Sequence, residues 1–136
     1  MLGLYKDNKL FKSYCSSKKS SEILPEIFKE LESLYDIEKL YYAKGPGSFM
    51  GVKVAYIFLK SFSIAKDIEL KAADGFYFNN NLPIKALGKT YFIKEGNNIT
   101  LDTITAKKEG EFFLPTILND EDFSHDNLPL YILPAI

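Results

Sequence analysis

The chain has 136 residues, the size of one ordinary domain, and its 46% apolar and 26% charged residues are typical of a globular protein. Its 17 basic and 18 acidic side chains leave a formal net charge of -1, so it lacks the positive field that concentrates a nucleic acid, and unaided binding of one is not expected. A single cysteine and a single histidine exclude an intramolecular disulfide and a cluster of soft zinc ligands.

The sequence contains no charged leader followed by an apolar run, and no segment approaches the roughly twenty apolar residues that span a bilayer. We therefore expect neither secretion nor membrane insertion. A lone cysteine also fits a reducing compartment, so the cytoplasm is the expected location.

A β-hairpin is predicted first, because the β-prone runs Leu2–Lys6 and Lys9–Tyr14 are separated only by the turn-forming pair Asp7-Asn8. Apolar residues then recur at helical spacing and predict an amphipathic helix that begins at Ser20 or at the serine after it. The apolar positions of this helix are Ile23, Leu24, Ile27, Phe28, Leu31, Leu34 and Tyr35.

The apolar run Leu40–Ala43 predicts a strand that is covered on both faces and central in its sheet. A glycine-rich turn follows, and then a helix from about Phe49 to Ala65. That helix is apolar on more than one side. Such a helix usually packs against the sheet and also against a neighbouring helix or another chain, so this pattern is the first indication of a partner. Its main stripe is Val52, Ala55, Tyr56, Leu59 and Phe62, and the apolar residues outside that stripe are Val54, Ile57, Phe58 and Ile64.

The rest of the chain is mainly β in character. The runs Pro83–Leu87, Lys89–Lys94 and Ile99–Ile104 are predicted strands. Asn119–Asp126 is predicted to be an exposed acidic connection, and Leu128–Leu133 a last strand or an apolar tail.

The turn from Gly45 to Gly51 is the one constellation in the sequence that could carry chemistry. Its glycines permit positive φ angles, and free N–H groups at a helix start favour an anion, so a phosphate could bind there. It is not a nucleotide P-loop, because the Gly-Lys-Ser/Thr ending is absent, and it lacks the spacing of the dinucleotide fingerprint. The alternative is that these glycines only turn a buried strand tightly into a packed helix.

No other residue gains a catalytic assignment. Ser48 would need a base beside it, and the only imidazole, His125, lies far along the chain in the acidic segment, so Ser48 is predicted to cap the second helix. Asp74-Gly75 is predicted to be a turn and not a metal ligand, because no second carboxylate has matching spacing. We therefore expect no metal and no cofactor.

The strand, the glycine-rich turn and the helix after it resemble the signature segment of the TsaB (YeaZ-like) family. The hairpin and the Ser-x-x-Ile-Leu-Pro helix start that ends at Pro25 agree with it, and the likeness covers Leu2 to Ala73. Two positions depart from the family pattern, since Met50 stands where threonine is common and Lys53 where arginine is usual. The family's usual first strand, which ends in an Asp-Thr pair, is missing. The residues of the family turn are Gly45, Pro46, Gly47, Ser48, Phe49 and Gly51.

The resemblance implies an α/β fold of ribonuclease-H/actin type, with a mixed sheet, two helices and a truncated second half. It divides the chain into an actin-like half, residues 1–75, and a reduced β-rich half, residues 76–136, packed as one unit. An actin-like nucleotide site needs phosphate loops from both halves and a carboxylate that organises the metal. Here one loop and most of the second half are missing, so ATP hydrolysis by this chain is not expected.

By the same resemblance, the chain is a non-catalytic scaffold subunit of the complex that forms threonylcarbamoyladenosine in tRNA. It would bind and activate the TsaD transferase subunit, with the TsaE ATPase and the tRNA reached only through the complex. Family members use their two helices to meet TsaD or a second TsaB. The predicted partner-binding residues are Ile23, Ile27, Leu31, Tyr56 and Leu59.

Two other functions fit the same sequence. One is a nucleotide-binding or ATP-hydrolysing protein that uses the Gly45 to Gly51 turn as a phosphate nest. The other is a homodimeric interaction protein with a different partner.

Overall fold

The structure is a computed structural model, and it describes residues 1–16, 20–47, 49–86, 90–103 and 111–130. Within these ranges the chain forms two helices, seven strands and two short 3-10 turns, at 75–78 and 120–122. In chain order the helices and strands are β1 (Leu2–Lys6), β2 (Lys9–Tyr14), α1 (Ser20–Leu34), β3 (Lys39–Ala43), α2 (Phe49–Lys66), β4 (Glu69–Ala73), β5 (Ile84–Lys85), β6 (Thr90–Glu95) and β7 (Asn98–Thr103).

The predicted hairpin is confirmed as the antiparallel pair β1-β2. Asp7 and Asn8 form its two-residue turn with φ angles of 52° and 64°, a left-handed conformation that these two residue types tolerate. Both predicted helices are also confirmed, as α1 and α2.

The predicted central position of β3 is wrong for the part of the chain that is described. β3 pairs there with β4 alone, in a parallel arrangement that matches Lys39 with Glu69 and Ala43 with Ala73. Sequence reasoning missed β4, because the charged residue Lys71 stands in the middle of its short apolar run.

A single mixed sheet is not formed by the described strands. They belong to three separate sheets: the pair β1-β2, the pair β3-β4 and the antiparallel group β5-β6-β7. The pairs β1-β2 and β3-β4 are separate because no described strand connects β1 to β3 by backbone hydrogen bonds. The coarser prediction of an α/β fold with two helices holds.

The two helices cover one face of the β3-β4 pair and form the main core with it. The ring of Phe28 on α1 packs edge-on against Phe58 and Phe62 of α2, with centroids 5.1 and 4.9 Å away. Such aromatic pairs add about 0.5–1.5 kcal/mol each to the burial of their surface. The buried members of this core are Phe28, Leu40, Tyr42, Leu59, Leu70 and Ala72.

The acidic segment, Asn119–Asp126, is a largely exposed connection, as the sequence predicts, but Asp120 and Phe123 anchor it to the sheet. Asp120 bonds to the face of β3-β4 that lies opposite the helices: its carboxylate accepts from Tyr41 Oη at 2.6 Å and from Lys71 Nζ at 2.9 Å. Phe123 is 5% exposed, and Ser124 pairs with Ala72 at the outer edge of β4. The segment therefore covers the second face of this small sheet.

The predicted strands of the second half are confirmed with shifted bounds, as β5, β6 and β7. Their sheet encloses a small core of Phe76, Ile84 and Phe92. Residues 128–130 form no strand, and the remainder of the predicted last strand lies outside the described residues. Contacts between the two predicted halves include Tyr5 Oη, which donates to Pro115 O at 2.5 Å. The boundary at residue 75 stays a prediction.

Acid should weaken the attachment of the acidic segment in a defined range. The hydrogen bond from Tyr41 and the one from Lys71 lower the pKa of Asp120 from 3.8 to about 2. Because this pKa is depressed on folding, the contact stabilises the protein above about pH 4, and that contribution is lost as the pH falls towards 2. We expect thermal denaturation followed by circular dichroism to give an unfolding midpoint that drops in this range.

The variant Asp120→Asn should lack that acid dependence, and its midpoint at pH 7 should be lower because the nearly buried ammonium of Lys71 loses its carboxylate. Asp122→Asn is the matched control, since Asp122 accepts from Tyr77 Oη and leaves Lys71 paired. Equal effects of the two substitutions would contradict this role of Asp120.

Candidate functional site

The glycine-rich turn joins the end of β3 to the start of α2. Gly45 has a φ angle of +94°, and the peptide bond between Gly45 and Pro46 is cis. Both residues are buried. Positive φ at this angle is a conformation that glycine adopts and other residues rarely do, which explains the residue type at position 45.

Backbone groups of the turn bond to other parts of the same chain. Lys44 N–H donates to Ala73 O at 3.0 Å, Leu130 N–H donates to Lys44 O at 2.8 Å, and Gly75 N–H donates to Gly45 O at 2.8 Å. A Cβ atom added to Gly45 would lie 3.3 Å from Leu130 O. The start of the turn is thus held between the end of β4 and residue 130, as the structural reading expects.

The predicted turn at Asp74-Gly75 lies directly behind the glycine-rich turn. A Cβ atom on Gly75 would lie 3.0 Å from Ile84 Cδ1 and 3.6 Å from Pro46 O, so β5 and the turn pack closely around it. One carboxylate oxygen of Asp74 accepts from Tyr77 N–H at 3.2 Å, and the other is 2.5 Å from Lys94 Nζ. Asp74 therefore caps the 3-10 turn and ties β6 to it.

Other predicted residues are placed as follows. His125 is exposed and lies 3.7 Å from Glu69, which suggests no binding role, and Cys15 is an exposed free thiol. In the described ranges no group of three or more His, Cys, Asp or Glu side chains could hold a metal ion. The helices described there are also too short or too polar to cross a membrane. Ser48 lies outside the described residues, so its capping role stays a prediction.

Three of the five predicted partner-binding residues are part of the core. Ile27, Leu31 and Leu59 are 7%, 2% and 7% exposed, so the chain itself covers these three side chains. Ile23 and Tyr56 are half-buried, and the ring of Tyr56 lies beside that of Tyr42. A direct contact with a partner therefore has little support at Ile27, Leu31 and Leu59.

A different apolar stripe on α2 faces outward. Met50, Ile57 and Ile64 are 62%, 51% and 71% exposed. They are seven residues apart, about two helical turns, so they lie along one side of the helix. We call these three residues the outer stripe. The sequence carried this signal, since Ile57 and Ile64 stood outside the main apolar stripe, but periodicity alone does not tell which stripe the chain itself covers.

The turn should tolerate no side chain at position 45. We expect Gly45→Ala to lower the free energy of unfolding by at least about 2 kcal/mol, because it combines positive φ with the close approach of Leu130 O. Gly96→Ala is the matched control: its φ is +60° and a Cβ atom there would have no neighbour within 4 Å, so the expected cost is about 1 kcal/mol. Urea denaturation measures both, and equal costs would contradict the close packing of the turn.

No family model matches this chain, and no curated protein matches it. Among solved structures, YeaZ from Pseudomonas aeruginosa is 15% identical with a TM-score of 0.55, over 74% of this chain and 57% of that one. A second structure is described as an uncharacterized protein with similarity to peptidase YeaZ from Pseudomonas aeruginosa. It is 15% identical with a TM-score of 0.50, over 74% of this chain and 56% of that one.

An identity of 15% carries information about the fold alone. For the fold, the resemblance to the TsaB (YeaZ-like) family that the glycine-rich turn indicated is confirmed. This chain spans only 57% and 56% of the length of the two solved structures. Over that shared part, its architecture is similar to that of YeaZ.

Proposed function

We propose that this chain is a non-catalytic subunit in the formation of threonylcarbamoyladenosine in tRNA, with a first half of ribonuclease-H/actin type. In this role it binds a TsaD-like transferase subunit and holds it in its active form. A TsaE-like ATPase and the tRNA are reached only through that complex. The observation that carries the proposal is the outer stripe of α2, on a fold similar to that of YeaZ.

The outer stripe has the chemistry of a helix-binding surface. Burying an apolar side chain of this size contributes roughly 1.5–3 kcal/mol, and Met50, Ile57 and Ile64 are all more than half exposed in the isolated chain. Apolar residues repeated every seven positions pack into the spaces between side chains of a second helix. Exposed apolar residues aligned in this way are typical of a surface that another protein covers.

The glycine-rich turn supports a structural and not a catalytic role. Three of its backbone groups, on Lys44 and Gly45, are bonded to β4, to Gly75 and to Leu130. These contacts connect the start of the turn to distant parts of the chain. The formal net charge of -1 likewise agrees with contact to tRNA through other subunits.

Substitution in the outer stripe tests the proposal. We expect Ile57→Asp to weaken the complex with the TsaD-type subunit of the same organism at least tenfold, because a carboxylate would be buried in an apolar interface. Ile117→Asp is the matched control, since Ile117 is 64% exposed on a different surface, and it should bind like the unchanged protein. Calorimetric titration of the purified proteins measures both, and equal affinities for the two variants would overturn the proposed interface.

A homodimer is the second candidate, and the spacing of the outer stripe favours it. Ile57 lies midway between Met50 and Ile64. A two-fold axis through Ile57 would therefore place Met50 of one copy against Ile64 of the other, as an isologous interface requires. Sedimentation equilibrium of the chain alone distinguishes this case: a dimer that Ile57→Asp dissociates, with no affinity for the TsaD-type subunit, would replace the first proposal. A third outcome, a heat of binding when the chain is titrated with ATP in a calorimeter, would favour the nucleotide-binding alternative.

A further inference from the structure

The two flanks of the outer stripe differ in charge. Lys53 and Lys60 each follow a residue of the stripe by three positions, whereas Val54 and Ser61 each follow one by four. Because an α-helix turns by about 100° per residue, positions three and four residues further on lie to opposite sides of the starting residue. The outer stripe therefore runs between a basic flank, Lys53 and Lys60, and an uncharged flank, Val54 and Ser61.

The basic flank lies on the side of α2 that is remote from α1. Phe58 comes one position after Ile57, which rotates it towards the same side as the uncharged flank, and its ring packs against Phe28 of α1 at 5.1 Å. The basic flank is consequently directed away from α1. Lys60 is half-buried there and forms no ion pair with any described residue.

The helix itself supplies no acidic group to this flank. The 18 residues of α2 include three lysines and no aspartate or glutamate. The third lysine, Lys66, lies at the end of the helix, 3.5 Å from Glu32 of α1. If another molecule covers the outer stripe, charge complementarity at the basic flank requires that this molecule bring acidic residues.

The stretches of the chain outside the described ranges do not match the basic flank. The longest of them is residues 104–110, seven residues, whereas the outer stripe extends over fifteen positions of α2. Together these stretches contain a single acidic residue, Glu109, and five lysines, Lys18, Lys19, Lys89, Lys107 and Lys108. They would add positive charge to a surface that is already basic.

A second copy of the chain matches the outer stripe but not its basic flank. Lys60 lies three positions after Ile57 and Lys53 four positions before it. A two-fold axis through Ile57 therefore brings Lys60 of one copy beside Lys53 of the other. Like charges that meet across an interface suppress an unsuitable partner. The basic flank thus favours a different protein over the homodimer.

We propose that Lys53 and Lys60 are specificity-determining residues, which select a partner helix that carries acidic residues seven positions apart beside its apolar stripe. The inference rests on the proposed function, because this helix would belong to the TsaD-type subunit. The apolar residues of the helix would pack against Met50, Ile57 and Ile64, and one carboxylate would lie opposite each lysine. Charges beside an apolar heptad stripe set the choice and the orientation of a partner in this way.

Charge reversal in the complex with the TsaD-type subunit tests this assignment. We expect Lys60→Glu and Lys53→Glu each to slow association at least about fivefold at low salt, because charges at the rim of an interface act mainly on the association rate. Raising the salt from about 0.1 M to about 1 M shortens the Debye length from about 10 Å to about 3 Å and should largely remove the difference. Surface plasmon resonance measures these rates. Lys53 is exposed, so its variant keeps the test valid if glutamate at the half-buried position 60 disturbs the fold.

Two controls make the test specific. Lys6→Glu changes the net charge equally at an exposed position of the hairpin, and Lys60→Arg keeps the charge, so both should associate like the unchanged protein. Equal rates for the reversals at 53, 60 and 6, or a loss that persists at high salt, would overturn the assignment. Ile57→Asp separates the two proposals. If it weakens the complex and the lysine reversals do not, only this inference fails; if it has no effect, the proposed function fails.

Discussion

A parallel pair of strands is stable only when both of its faces are covered. In this protein, the contact between Lys71 and Asp120 holds the acidic segment against the face of β3-β4 that the helices leave open. The helices bury one face of β3-β4 through an apolar core. The other face carries the nearly buried ammonium of Lys71, which needs a carboxylate close by. Asp120 supplies it at 2.9 Å and also accepts from Tyr41 on the neighbouring strand. This contact holds the acidic segment, and residue 130 beyond it, together with the backbone pair of Ala72 with Ser124 and the bond from Asn127 to Leu70 O.

The same arrangement explains the glycine-rich turn. Once the acidic segment has crossed the sheet, Leu130 reaches the end of β3 and bonds to Lys44, while Gly75 bonds to Gly45 from the other side. The turn is thus the point where the first half of the chain meets the second. An internal role of this kind leaves the exposed side of α2 as the proposed partner-binding surface.

Local patterns predicted the parts of the fold that depend on local chemistry. Asp7-Asn8 suits a two-residue turn, and the helical periodicity of α1 and α2 is strong, so the hairpin and both helices were predicted correctly. β4 was missed because Lys71 looks like a surface residue until its partner, 49 positions away, is known. The anchoring of the acidic segment by Asp120 was missed for the same reason.

The candidate interface shows a second limit of sequence reasoning. An apolar stripe indicates that one side of a helix is buried, but it does not indicate whether the same chain or a partner covers that side. Leu31 and Leu59 are covered by the chain itself, whereas Ile57 and Ile64 are exposed. Only the packing of the two helices distinguishes the two cases.

The distance along the chain between Asp120 and its partners has a consequence for synthesis on the ribosome. Tyr41 lies 79 positions before Asp120 and Lys71 lies 49 positions before it, whereas β3, α2 and β4 are consecutive. Local contacts form before contacts of long sequence separation, and a nascent chain emerges from its N-terminus first. The β3-β4 pair with its helices can therefore assemble early. It then waits, with one face open and Lys71 unpaired, until the acidic segment around Asp120 has been translated.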